Sequence, residues 1–188
     1  INVYYEINGQ ENPTLNFQWE FILVDDDQTK NAWCMPGGKI AFYSGILPIA
    51  KNEDGIASIM GHEIAHAVAR HSAERASTAM LTDIGIMALE QLVLGQRLPE
   101  ATGYIRQFGL DLPFNRKQES EADYLGLIFS SLSGYNIEES YKVWERMKEE
   151  VGKGPAEFYS THPSPDNRIK KLKEWIPLVN AKYPAINT

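Results

Sequence analysis

Two of the four histidines stand in the run His62-Glu63-Ile64-Ala65-His66, and no other feature constrains the fold so strongly. Four residues along an α-helix turn about 400° and rise about 6 Å, so both imidazoles leave one face a turn apart. From there two ring nitrogens reach one zinc ion at about 2.0–2.1 Å. Glu63 lies on the shoulder of that face, near enough to act on water beside a metal and off the line of the ligands. Two neutral ligands need a third, and a catalytic site keeps a fourth position open. The motif therefore asks for a helix and for a third ligand group.

A third histidine ten residues after the first, with a glycine turn before it, would extend the motif as in the metzincins. Positions 69 and 72 hold Ala69 and Ser72, which excludes that pattern. His71 follows His62 by about 900° of a continuous helix, which places it on the opposite side in a structural or surface role. The run Glu119-Ser120-Glu121-Ala122-Asp123 offers a carboxylate from another helix. Glu119 and Asp123 share a face, while Glu121 turns about 200° away from Glu119. Glu119 is expected to ligate. Asp123 is expected to accept a hydrogen bond from a ligating histidine and fix its tautomer.

Around these motifs the chain reads as α+β. Val3–Ile7, Phe17–Val24 and Lys39–Ser44 are expected strands, rich in aromatic and β-branched residues and separated by turns at Asn8-Gly9, Asn12-Pro13 and Pro36-Gly37-Gly38. Asn52 reads as the cap of the metal helix, which should run past His71. Further helices are expected over Ala79–Leu94, from Asn115 (with Gln118 as a capping box) to near Gly134, from Asn136 to Gly152, and from Ser164-Pro165 to about Leu178. A loop carrying Gly103, Gly109 and Pro113 is expected between the first and second of these. The 188 residues should form a single domain, with a small sheet over about 1–45 and a helical body over about 52–180.

The net charge of −7 and the lack of a basic cluster argue against nucleic acid and anionic membrane surfaces as partners. A lone cysteine, Cys34, excludes a disulfide framework and a cysteine-rich zinc ribbon. The greasiest stretch, Met80 to Leu94, is interrupted by Asp83 and Glu90 and cannot span a bilayer, which takes roughly 20 apolar residues. A start at Ile1 rather than Met is expected of a processed or trimmed form.

The motif His62–His66, followed by Asn115-Arg116-Lys117-Gln118-Glu119-Ser120-Glu121-Ala122-Asp123, resembles the HtpX-like and CaaX-prenyl-protease (type I) family of gluzincin endopeptidases. The likeness takes in Asn31-Ala32, Pro36-Gly37-Gly38-Lys39, His71-Ser72, Thr161-His162-Pro163 and Arg168-Ile169. Asn115 stands where the family usually has Ser. The lack of membrane helices sets the chain nearer the soluble BepA-like branch, whose bacterial members usually work outside the cytoplasm, often in the periplasm. An extracytoplasmic setting, or attachment to a membrane through a removed N-terminal segment, follows as the expectation.

The resemblance implies a zincin-like fold and a zinc-dependent endopeptidase with one zinc per chain. His62, His66 and Glu119 would be the ligands, Glu63 the general base and Asp123 the outer partner. Glu63 would take a proton as water attacks the scissile carbonyl. His162, close to the metal cleft in such proteins, would donate to the oxyanion with help from Asn31, or would block the open zinc position. A polypeptide substrate is expected to pair as an extended strand with Lys39–Ser44, read as a sheet edge lining the cleft. The rival reading is a chaperone-like module that holds polypeptides, with structural zinc and latent cleavage.

Overall fold

The computed structural model describes residues 1–89, 112–151, 162 and 165–186. It opens with helix α1 (Asn2–Ile7), followed by strands β1 (Glu20–Val24), β2 (Ala32–Met35) and β3 (Lys39–Tyr43). A short 3₁₀ turn and α2 (Leu47–Ala50) lead into α3 (Glu53–Val68) and α4 (His71–Leu89). Three more described helices complete the body: α5 (Leu112–Leu132), α6 (Glu139–Val151) and α7 (Pro165–Lys182). A small sheet followed by a mostly helical body is the α+β, zincin-like architecture expected.

Val3–Ile7 is helical rather than a strand. Its aromatic residues serve packing: the Tyr4 ring meets Phe129 edge-on at 5.7 Å and Tyr183 at 5.9 Å. Tertiary contact has overridden strand propensity there. The sheet order is β1-β3-β2, with β1 parallel and β2 antiparallel to β3. Lys39–Tyr43 is thus the central strand, not the edge that the sequence suggested. The contiguous burial of Ile40, Ala41 and Phe42 gives the reason, since a strand covered on both faces reads as an unbroken apolar run. The edge strand lying against α3 is β2, whose four residues carry too little periodicity to be seen beforehand. Gly37 and Gly38, at φ 93° and 94°, make the β2–β3 turn. A Cβ on Gly38 would stand 3.0 Å from the Trp19 ring.

Asn52 caps α3 as expected, its side chain accepting from Gly55 N at 2.9 Å. The helix does not run past His71. It stops at Val68, Arg70 takes the left-handed conformation at φ 58°, and α4 starts afresh at His71. His71, expected opposite the motif, therefore turns back towards it and is 1% exposed. The helix expected to open at Asn115 begins at Leu112, so Asn115 falls inside its first turn. Gln118 does not cap that helix; its Nε2 donates to the His71 carbonyl at 3.3 Å and to Glu74 at 2.8 Å. Gly103, Gly109, Gly152 and Ser164 lie outside the described residues.

Helices α3 and α5 cross almost backbone to backbone. A Cβ on Gly126 would lie 2.9 Å from His62 N, and one on Gly61 would lie 2.9 Å from the Gly126 carbonyl oxygen. Only glycine at both positions permits this approach. Ile59, Leu127, Ile128, Trp144, Met147, Leu172 and Val179 form the core around the crossing and join Ala32, Ile40 and Phe42 of the sheet in one cluster.

Candidate metal centre

The crossing presses one turn of α3 against one turn of α5, and their polar residues meet in the interior. His62, Glu63, His66, Glu119 and Asp123 are all buried. His62 Nε2 and His66 Nε2 are 3.1 Å apart. Glu119 spans them, with Oε2 3.4 Å from His62 Nε2 and Oε1 3.3 Å from His66 Nε2. His162 joins from the segment before α7, its Nδ1 2.8 Å from Glu119 Oε2 and 3.2 Å from His62 Nε2. One ligand atom from each of His62, His66, Glu119 and His162 lies within 4.8 Å of the others.

The surroundings orient these groups. Asp123 Oδ1 is 3.1 Å from His62 Nδ1, the arrangement that leaves Nε2 free to ligate. Arg168 grips Asp123 in a fork, Nε to Oδ2 at 2.7 Å and Nη2 to Oδ1 at 2.5 Å, and places Nη1 3.0 Å from Glu119 Oε2. Its guanidinium lies 3.7 Å above the Trp144 ring. Arg168 stands in one of the runs that carry the family resemblance, which implies no task for it. A signal was there: Arg168 shares the apolar stripe of α7 with Leu172, Ile176 and Val179, and a charge on a buried stripe needs a partner.

Burial dominates around Glu63 and pushes its carboxyl above the usual range. Among the described residues its Oε1 makes no hydrogen bond, although His162 Nε2 stands 3.4 Å away. Burial also opposes charge on Glu119, but hydrogen bonds from His162, His62 and His66 outweigh it and hold that carboxyl far below its ordinary value. Asp123 is likewise held down against burial, by Arg168 first and His62 second. Burial and Arg168 disfavour a charged His62, yet its bonds to Asp123 and Glu119 win and raise it to about 9. His66 has no such excess of partners, and burial lowers it to about 3.

Two imidazoles and a carboxylate, with a buried carboxylate oxygen left unpaired beside them, are a donor set that suits zinc. Of the remaining candidates, Asn31 stands at the head of β2 with Oδ1 accepting from Ala32 N at 2.9 Å. Among the described residues, no hydrogen bond or ion pair ties it to the histidine cluster. Two residues expected to face away from the site, His71 and Glu121, also belong to the surroundings: His71 Nδ1 is 2.8 Å from His66 Nδ1, and Glu121 Oε2 is 3.5 Å from His71 Nε2.

The family model described as peptidase family M48 matches residues 7–176. The chain belongs to this family. M48 enzymes are zinc metallopeptidases, and the ligand cluster lies within the matched span. The M48 chain is 43% identical over 171 residues to the mitochondrial metalloendopeptidase OMA1 of Schizosaccharomyces pombe, which covers 89% of this chain and 49% of that protein. Its likeness to OMA1 of Saccharomyces cerevisiae is 36% over 200 residues, 97% of this chain and 54% of the relative. The β-barrel assembly-enhancing protease of Escherichia coli is 30% identical over 165 residues, 80% of this chain and 33% of that protein. The chain thus spans about half the length of the OMA1 relatives from the two yeasts. Among the described residues, no helix is long and apolar enough to cross a membrane.

Proposed function

We propose that this M48 domain is a zinc-dependent endopeptidase that hydrolyses peptide bonds of polypeptide substrates, with Glu63 as general base. The observation that carries the reading is the unpaired, buried Glu63 oxygen beside the cluster of His62, His66 and Glu119. His62, His66 and Glu119 would hold zinc, which when bound would supply Lewis acidity towards water and a carbonyl oxygen. Glu63 takes the proton from the attacking water and returns it to the leaving amine, a cycle suited to a carboxyl whose pKa burial has raised. Asp123 fixes the His62 tautomer, and Arg168 keeps Asp123 charged and oriented.

His162 blocks the fourth metal position at rest and yields to substrate, a role supported by its Nδ1 lying among the ligand atoms. Donation to the oxyanion is the alternative, with Asn31 assisting from the head of β2. Substrate adds as an extended strand to β2, the edge strand beside α3, and not to β3. The apolar cluster shared by sheet and helices supports treating 1–188 as a single domain. Likeness to the β-barrel assembly-enhancing protease supports the BepA-like branch, and likeness to the mitochondrial OMA1 relatives supports a setting outside the cytosol.

The test is metal analysis of purified protein paired with digestion of an unfolded protein, with and without chelator. About one zinc per chain and chelator-sensitive cleavage are expected. Zinc retained with no cleavage in any condition would replace this reading with the polypeptide-holding module.

A further inference from the structure

We propose that His71 and Glu121 form a hydrogen-bond relay that positions the zinc ligand His66, so that metal affinity depends on a residue outside the His62–His66 motif. The inference rests on the metal reading above and on geometry that reading did not use.

A neutral imidazole that ligates through Nε2 carries its only proton on Nδ1, and that proton needs an acceptor. For His62 the acceptor is Asp123. For His66 the neighbour is a second imidazole, His71 Nδ1 at 2.8 Å, in a site where His71 is 1% exposed. Two facing nitrogens share one proton, so His66 donates and His71 accepts. His71 must then carry its own proton on Nε2, and Nε2 faces Glu121 Oε2 at 3.5 Å, at the outer limit of a hydrogen bond. Glu121, a side chain 52% exposed, closes the relay at the surface. Every proton has one place to go.

The backbone is arranged to deliver this contact. On an unbroken helix His71 would point away from His66; the left-handed Arg70 and the restart of α4 bring it back. The Gln118 amide, from the same helix as Glu119, holds the His71 carbonyl at 3.3 Å. His71 thus ties the motif helix, α4 and α5 together at one ligand.

The experiment compares wild type, His71→Leu and His71→Asn by zinc competition titration and by melting of chelator-treated protein. Leu fills the space without accepting a hydrogen bond, and the Asn Oδ1 stands where Nδ1 stood. Zinc affinity should fall about 10–100-fold in His71→Leu, with recovery of most of the loss in His71→Asn. Melting of the chelated protein should change little between the two variants. Unchanged affinity in His71→Leu would overturn the relay, and so would equal loss in both variants alongside equal loss of chelated-protein stability, which marks packing alone. Should His71→Leu fail to fold, nitrogen-15 NMR of histidine-labelled wild type decides: His71 must be neutral with its proton on Nε2, and a proton on Nδ1 would overturn the relay. Wild-type protein that takes up no zinc would instead fail the metal reading itself.

Discussion

Glu63→Gln separates the chemistry of this site from its architecture, because the two respond in opposite directions. Glu63 is 4% exposed, its Oε1 has no hydrogen-bond partner among the described residues, and burial has raised its pKa. A carboxyl bound to its proton more tightly in the folded than in the unfolded state makes the folded protein lose stability as pH rises above the unfolded value. The loss begins near the ordinary value of 4.5 and levels off only above the raised folded value. The neutral amide removes that penalty. Each tenfold by which the fold tightens the carboxyl's hold on its proton costs about 1.4 kcal/mol at neutral pH, and in a domain of this size each kcal/mol moves the melting temperature by about 2–4 °C. Each such tenfold should therefore lift the variant about 3–6 °C above wild type at pH 7, with the gap shrinking towards pH 4. Cleavage should meanwhile fall roughly 10²-fold or more with zinc content unchanged. Calorimetry of chelated protein across pH 4–8, a fluorogenic peptide assay and metal analysis give the three readouts. Cleavage at the wild-type rate would refute Glu63 as the base, and a melting temperature lowered at every pH would refute the account of its burial.

Gly126→Ala puts a Cβ 2.9 Å from His62 N and should cost about 1–3 kcal/mol while weakening zinc binding, since Glu119 and Asp123 ride on the displaced helix; a zinc titration and melt equal to wild type would refute the role of the crossing. His162→Ala should raise peptide cleavage with zinc retained if this residue blocks the open position, whereas a fall of about 10²–10³-fold would assign it to the oxyanion. Because His62 is raised to about 9, zinc must displace its proton at neutral pH; affinity should climb about tenfold per pH unit from 7 to near 9, with proton release in calorimetry, and a flat profile would refute it. In β2, Tyr43 N bonds the Asn31 carbonyl, and antiparallel alternation then turns the N–H of Cys34 outward. Cys34→Pro should raise KM with little change in melting, and loss of stability with KM unchanged would reject strand addition at β2.

The parts of the fold legible beforehand are those where local chemistry decides. Asn52 capped α3 because its side chain could reach Gly55 N, and Pro36-Gly37-Gly38 turned because two glycines could take positive φ. The misread parts are those where distant packing decides. Val3–Ile7 has the residues of a strand and forms a helix because Tyr4 finds Phe129 and Tyr183. His71 was misplaced because the period of 3.6 holds only while the helix is continuous, and a left-handed Arg70 carries no sequence signal. Position β3 at the centre rather than the edge depends on β1 returning in parallel, a long-range pairing that no local pattern reveals.

The site was more legible than the fold around it, for a physical reason. Ligand chemistry restricts residue type and spacing at once, so His62, Glu63, His66, Glu119 and Asp123 could be named from two short runs. What the runs could not show is burial. Read in sequence, Glu119-Ser120-Glu121-Ala122-Asp123 is an ordinary acidic face and Arg168 an ordinary surface base. Gly61 and Gly126 change that by letting α3 and α5 meet, which carries Glu63, Glu119 and Asp123 into the interior with Arg168 as the guanidinium that pairs with Glu119 and Asp123. Three carboxylates against one guanidinium leave two formal negative charges in a place where charge is expensive. Protons offer one partial remedy, visible in the raised values of Glu63 and His62. A divalent cation held by His62, His66 and Glu119 offers a complete one. The demand for metal is thus a property of the packing, and two glycines with no chemistry of their own create it.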